Sequence, residues 1–124
     1  MVKFEEYHED VGSMQKKLKF KGKYKEALIS GRKKTTLRLS TELKPGDIVI
    51  LEAGEEELGE AVIERVLDIR IEELTDKHAA EDGFSSKAEL LRELKSIYGS
   101  SVLREGTRLK LIKFELRKGE VGEK

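Results

Sequence analysis

The 124-residue sequence has no cysteine, no tryptophan, one proline and two histidines. Without cysteine there are no disulfides and no thiolate metal ligands. His8 and His78 lie far apart and neither belongs to a His-x-x-x-His pattern, so no zinc site is expected. No apolar run approaches the length of a membrane span or the core of a signal peptide. These absences lead to the expectation of a soluble, cytoplasmic chain that needs neither metal nor cofactor and does not engage a membrane. Surplus charge is also missing, since 25 cations balance 25 acids. Neutrality describes only the sum, and a nucleic-acid partner depends on distribution.

What the chain has in abundance is charge of both signs, at 40% of all residues. A Lys- and Glu-rich profile with one proline and no Cys or Trp suits a thermophile, where mixed surface ion-pair networks are favoured. The length fits one domain, 1–124, with a core over about 16–117, a polar N-terminal segment and a frayed C-terminal tail. The charge is unevenly spread. Between Ser13 and Arg38 ten cations face a single acid, Glu26, while acids concentrate in Glu52–Glu60 and Glu72–Asp82. A positive side and a negative side are expected.

Alternating apolar and charged residues in Lys17–Lys21 predict a half-buried strand, with Leu18 and Phe20 on one face. Tyr24–Ser30 reads as a short helix, and Gly31 sits where a C-cap glycine belongs. Thr35–Ser40 alternates again, placing Thr36, Arg38 and Lys34 on one face and Leu37 and Leu39 on the other. Lys44-Pro45-Gly46-Asp47 has the residues of a type II turn. The unbroken run Asp47–Ala53 predicts a strand covered on both sides. After an acidic hairpin tip, a long strand over Glu60–Ile71 puts Ile63, Leu67, Ile69 and Ile71 together. Thr75–Glu81 reads as a short helix ended by Gly83. Ser86 and Glu89 form a capping-box pattern at the head of a helix carrying Leu90, Leu91, Leu94, Ile97 and Tyr98. The last strand, Arg108–Arg117, switches phase between Leu111 and Ile112, which predicts a β-bulge. Strands and helices do not alternate regularly, so a doubly wound sheet is disfavoured. The fold class expected is α+β, a small mostly antiparallel barrel with helices packed on one side.

The stretch GRKKTTLRLS, Gly31–Ser40, gathers four cations and two adjacent threonines. Arg32, Lys34 and Arg38 are candidate ligand-binding residues: an arginine fork clamps phosphate or stacks on a base. The plain alternative is a set of surface ion pairs. A threonine hydroxyl is a poor nucleophile without a base. Lysine serves as that base only where burial or cationic neighbours lower its pKa. Lys33 and Thr36 are three residues apart and converge only because the chain changes from helix to strand there. The alternative for them is a solvated lysine and an ordinary strand threonine. The lysines of Lys16–Lys25 suit either a nucleic-acid backbone ridge or the guarded outer face of an edge strand.

Four pieces of the sequence, taken in order, resemble the ASCH domain of the PUA-like superfamily. They are LKFKGKYKEALISGRKKTTLR, LKPGDIVIL, ELTDKHAAEDGFSSKAELLRELKSIYG and LKLIKFEL, covering roughly Leu18–Leu116. The family signature G-[KR]-K-x-x-T-x-R is matched in full by Gly31, Arg32, Lys33, Thr36 and Arg38. The resemblance implies a PUA-like barrel with a cleft beside its helices, and RNA, a nucleotide or a nucleoside as partner. It also implies an alternative. Some small ASCH proteins are amidohydrolases that deacylate N4-acetylcytidine with a lysine, a threonine and a glutamate. By position these fall on Lys33, Thr36 and Asp82. Asp82 departs from the family by one methylene, which leaves Glu81 open as a substitute acid.

Overall fold

The structure is a computed structural model that describes residues 16–117; the polar N-terminal segment and the tail after Arg117 lie outside the described residues. The alternating KKLKF run forms β1, Lys16–Phe20, and a 3-10 turn over Gly22–Tyr24 leads into α1, Lys25–Ser30. Gly31 ends α1 with φ +86°, a left-handed conformation that side chains with a Cβ resist. Four strands follow around two further helices: β2, Thr35–Arg38; β3, Ile48–Ala53; β4, Glu56–Arg70; and, after α2, Asp76–Glu81, and α3, Lys87–Tyr98, the last strand β5, Arg108–Leu116. Pro45-Gly46 turns the chain into β3 as the sequence predicts, with Gly46 at φ +95° and the Asp47 amide donating to the Lys44 carbonyl at 3.0 Å.

The five strands form one sheet in the order β1-β3-β4-β5-β2, curled into a half-barrel with the three helices alongside. Only β1 and β3 run parallel; the other neighbours are antiparallel. This is the α+β arrangement expected. Two apolar clusters hold it. Leu18, Val49, Leu51, Ile63, Ile112 and Phe114 fill the barrel side. Leu37, Leu74, Leu90, Leu94, Leu109 and Leu111 join α2 and α3 to the sheet. A leucine buried completely, such as Leu90, is worth about 1.5–3 kcal/mol over one left exposed.

The phase switch in β5 is real, because Leu109 and Leu111 serve the helix-side cluster while Ile112 and Phe114 serve the barrel. The extra residue of the bulge, however, is carried by β4. Ile63 pairs with Phe114 and Arg65 with Lys113, leaving Glu64 between them. The bulge resets the faces of β4, so Ile63 is buried and Leu67 is 44% exposed rather than sharing its face. The reading of β3 as covered on both sides also fails. Val49, Leu51 and Ala53 are buried while Ile48 is exposed, the alternation of a strand with one wet face. Ser86 caps α3 by accepting from the Glu89 amide, but the Glu89 carboxylate reaches Ser85 rather than closing the box on Ser86.

Candidate functional site

The GRKKTTLR segment is pinned from three directions. The Lys33 amide donates to Ala27 O of α1 at 3.0 Å, and the Lys34 amide to Glu81 O of α2 at 2.7 Å. The Phe114 amide of β5 donates to Lys34 O at 3.0 Å. Held this way, Lys33 points inward and is 4% exposed, whereas Arg32 and Lys34 on either side face outward. All four residues of β2 are buried, although β2 is an edge strand.

Asp82 meets Lys33 in the interior. It terminates α2, its amide shared between His78 O and Ala79 O, and Gly83 turns the chain away at φ +94°. The Lys33 amine lies 3.2 Å from Asp82 Oδ2 and donates to the Asp82 carbonyl at 3.0 Å. Thr35 Oγ1 donates to Asp82 Oδ1 at 2.9 Å, so each carboxylate oxygen has its own partner. Rings surround the amine, with the centroids of Tyr24, Phe20 and Phe84 at 4.8, 5.6 and 5.6 Å. Burial pulls the Lys33 pKa down, a shift that Arg38 reinforces and Asp82 opposes. Burial pushes Asp82 up against the pull of Lys33 and Thr35. Both shifts favour moving the shared proton from the amine toward the carboxylate.

Thr36 and Arg38 form the next pair along the strand. Arg38 Nε donates to Thr36 Oγ1 at 2.8 Å, leaving the hydroxyl proton of Thr36 free to be given away. Arg38 Nη2 reaches across to the Lys19 carbonyl of β1 at 2.9 Å, with its guanidinium 5.1 Å from the Phe20 ring centroid. Because β1 and β2 are the two edges of the sheet, this arginine ties together edges that no backbone ladder joins.

These groups line one cavity of about 290 Å3. Lys33, Thr36, Arg38 and Asp82 are its polar side, and Phe20, Tyr24, Phe84 and Tyr98 its aromatic walls. Glu93 of α3 guards the mouth. It accepts from the Tyr24 hydroxyl and lies 3.2 Å from the Lys23 amine and 3.4 Å from that of Lys21. Burial, followed by this bond, lifts the Tyr24 hydroxyl far above the usual phenol range. Burial alone would raise Glu93, but Tyr24 and Lys23 outweigh it and hold the carboxylate low.

Of the residues singled out from sequence, the structure brings Lys33, Thr36, Arg38 and Asp82 to the cavity, and Asp82 reaches Lys33 despite its shorter side chain. Glu81 faces a different cleft on the far side of Thr35, and Lys34 lines a third space with Glu64 and Lys113. Arg32 is exposed. Much of the basic cluster is neutralised locally: Lys16 pairs with Asp47, Lys17 with Glu52 and Glu57, and Lys25 with Glu56. Thr35, Tyr24 and Glu93 escaped the sequence reading. The doubled threonine was the one available hint for Thr35; nothing local distinguishes Glu93 from Glu89, the other acid of α3. Among the described residues no group of three His, Asp or Glu side chains is placed to hold a metal ion. Nor is any described helix long and apolar enough to cross a membrane.

No protein-family model matches the chain, and no curated protein matches it. Solved structures do. The ASCH domain from Lactobacillus crispatus JV V101 superposes with a TM-score of 0.66 at 15% identity, covering 73% of this chain and 68% of that one. A DUF984 protein from Enterococcus faecalis V583 gives 0.68 at 14% identity over 84% and 80% of the two chains. The hypothetical protein PH0355 gives 0.60 at 22% identity, covering 81% of this chain and all 100% of that one. At these identities the likeness speaks for architecture: the chain has an ASCH-like fold of the PUA-like α+β type.

Proposed function

We propose that the cavity receives a single nucleobase, presented by RNA, a nucleotide or a free nucleoside. The observation that carries this reading is the aromatic enclosure of about 290 Å3 around the buried Lys33–Asp82 pair. Ring faces and a few fixed polar atoms suit a flat, neutral heterocycle. A phosphate is a poorer occupant, since Lys33 is neutralised by Asp82 and Arg38 is engaged by Thr36 and the Lys19 carbonyl. The base is therefore recognised by stacking and shape, and its binding depends little on salt. Calorimetric titration with cytidine, uridine, adenosine and guanosine at low and high salt tests this. At least one nucleoside binds, and Phe84→Ala weakens it about tenfold or more, in line with 1–3 kcal/mol for a stacked base. Absence of binding by all four overturns the reading.

A second reading, hydrolysis of an N-acyl group on such a base, draws support from one further observation. Thr36 shares the cavity with a lysine of lowered pKa, and its oxygen accepts from Arg38. In that reaction Thr36 Oγ attacks the acyl carbon and its proton passes to the Lys33 amine. The C–N bond then breaks, Lys33 returns the proton to the departing nitrogen, and water hydrolyses the threonine ester. Asp82 orients the amine. Incubation with N4-acetylcytidine, with cytidine release followed over time, separates the two readings. Turnover that Thr36→Ala abolishes while substrate binding persists assigns the chemistry. Binding without turnover leaves the nucleobase receptor alone.

A further inference from the structure

A second cleft, of about 280 Å3, lies between α2 and the sheet and is lined by Arg65 of β4, Lys113 of β5 and Lys77 of α2. Among the described residues, none of these three cations has an acidic partner within ion-pair distance. Other described lysines, such as Lys34 and Lys95, also lack such a partner, so what marks this cleft is the convergence of three such cations on one hollow. The register sharpens the point. Arg65 and Lys113 stand directly opposite each other on adjacent strands, where like charges are destabilising. Had β4 continued without its bulge after the Ile63–Phe114 pair, Glu64 would have faced Lys113 instead. The bulge thus replaces an attractive pair with a repulsive one. An arrangement that sacrifices stability locally is a mark of a binding surface. His78 and the one acid Glu81 complete the rim, and Leu67, 44% exposed, offers an apolar floor beside Leu111.

We propose that this cleft binds the phosphodiester backbone of single-stranded nucleic acid. Arg65, Lys77 and Lys113 meet phosphates, and Leu67 meets the face of a sugar or base. Cations beside an exposed leucine match a chain in which phosphates alternate with apolar ring faces. The cleft backs onto the cavity, because Thr35 lines it while its hydroxyl holds Asp82. The proposal nevertheless stands apart from the nucleobase reading: free nucleosides report on the cavity, and an oligonucleotide with cleft variants reports here.

The test is fluorescence anisotropy with a labelled oligouridylate at 50 and 200 mM salt. It compares the full chain with the double variant Arg65→Gln, Lys113→Gln and with Lys95→Gln, an exposed lysine on α3. The double variant binds at least tenfold more weakly. Its dependence of log affinity on log salt is shallower by about 1.4, the share of two lost phosphate contacts on a single strand. Lys95→Gln leaves affinity unchanged. Without oligonucleotide the double variant melts no lower than the parent, because a like-charge pair has gone, so weak binding cannot be put down to unfolding. The proposal is overturned if the parent does not bind, if the double variant binds as well as the parent, or if Lys95→Gln loses as much.

Discussion

Lys33 and Asp82 are each only 4% exposed, and at that depth an ionisable side chain is tolerable only with a partner. Removing Asp82 as Asp82→Ala strands the amine and costs about 3–5 kcal/mol in urea unfolding. The double variant Lys33→Met, Asp82→Asn removes both charges, keeps an acceptor for Thr35, and recovers most of that loss while abolishing any proton transfer. The pair also sets a pH dependence. Burial holds Asp82 above its ordinary 3.8, so just above that pH the folded chain binds the extra proton and stability falls as pH rises. Burial holds Lys33 below 10.5, so on the alkaline side the unfolded chain binds more protons and stability rises toward 10.5. In Tm–pH curves, Asp82→Asn removes the acid-side fall. Lys33 and Thr36 were legible as candidates through the signature around Gly31. Their roles were not, because spacing on a strand says nothing of burial, and burial is what moves a lysine's pKa.

At the level of elements, the site depends on the short link between α2 and α3. A Cβ at Gly83 would sit 3.3 Å from Lys33 Cβ, and φ there is +94°. Gly83→Ala therefore combines a left-handed backbone, at about 1–2 kcal/mol, with pressure on the lysine. It lowers Tm and weakens nucleoside binding together, whereas Ser86→Ala at the α3 cap costs about 1 kcal/mol and leaves binding intact. Differential scanning calorimetry and calorimetric titration on both variants separate the two effects. Helix ends were readable because Gly31, Gly83 and Ser86 act locally. The bulge was readable only in part. The phase switch that exposed it lies on β5, but the inserted residue, Glu64, is on the partner strand, and register belongs to the pair rather than to either segment.

For the molecule as a whole, the sheet leaves β1 and β2 as open edges, and Arg38 spans them. Its bond to the Lys19 carbonyl makes it a tie across the half-barrel as well as a wall of the cavity. Arg38→Lys keeps the charge but loses the planar fork that serves both Thr36 and Lys19. Hydrogen exchange at β1 amides accelerates in that variant while the β4–β5 ladder keeps its protection. Equal protection of β1 in parent and variant would show that the edges hold without the tie.

Local chemistry in the sequence determined the helix limits, the turn at Pro45-Gly46, the alternation of β1 and the α+β class, because caps, turns and periodicity act over a few residues. The same holds for the resemblance to the ASCH signature, carried by Gly31, Arg32, Lys33, Thr36 and Arg38. Tertiary structure alone decided which cations face inward. Arg32 and Lys34 flank Lys33 in sequence yet point outward, because the backbone bonds to α1, α2 and β5 turn only the middle residue into the core. It also decided that Asp82 rather than Glu81 meets that lysine, since Asp82 ends α2 facing the cavity while Glu81, one residue earlier, faces the cleft behind it. Partners separated by 49 positions come together only through the packing of α2 against β2, and no pattern within either segment encodes that distance.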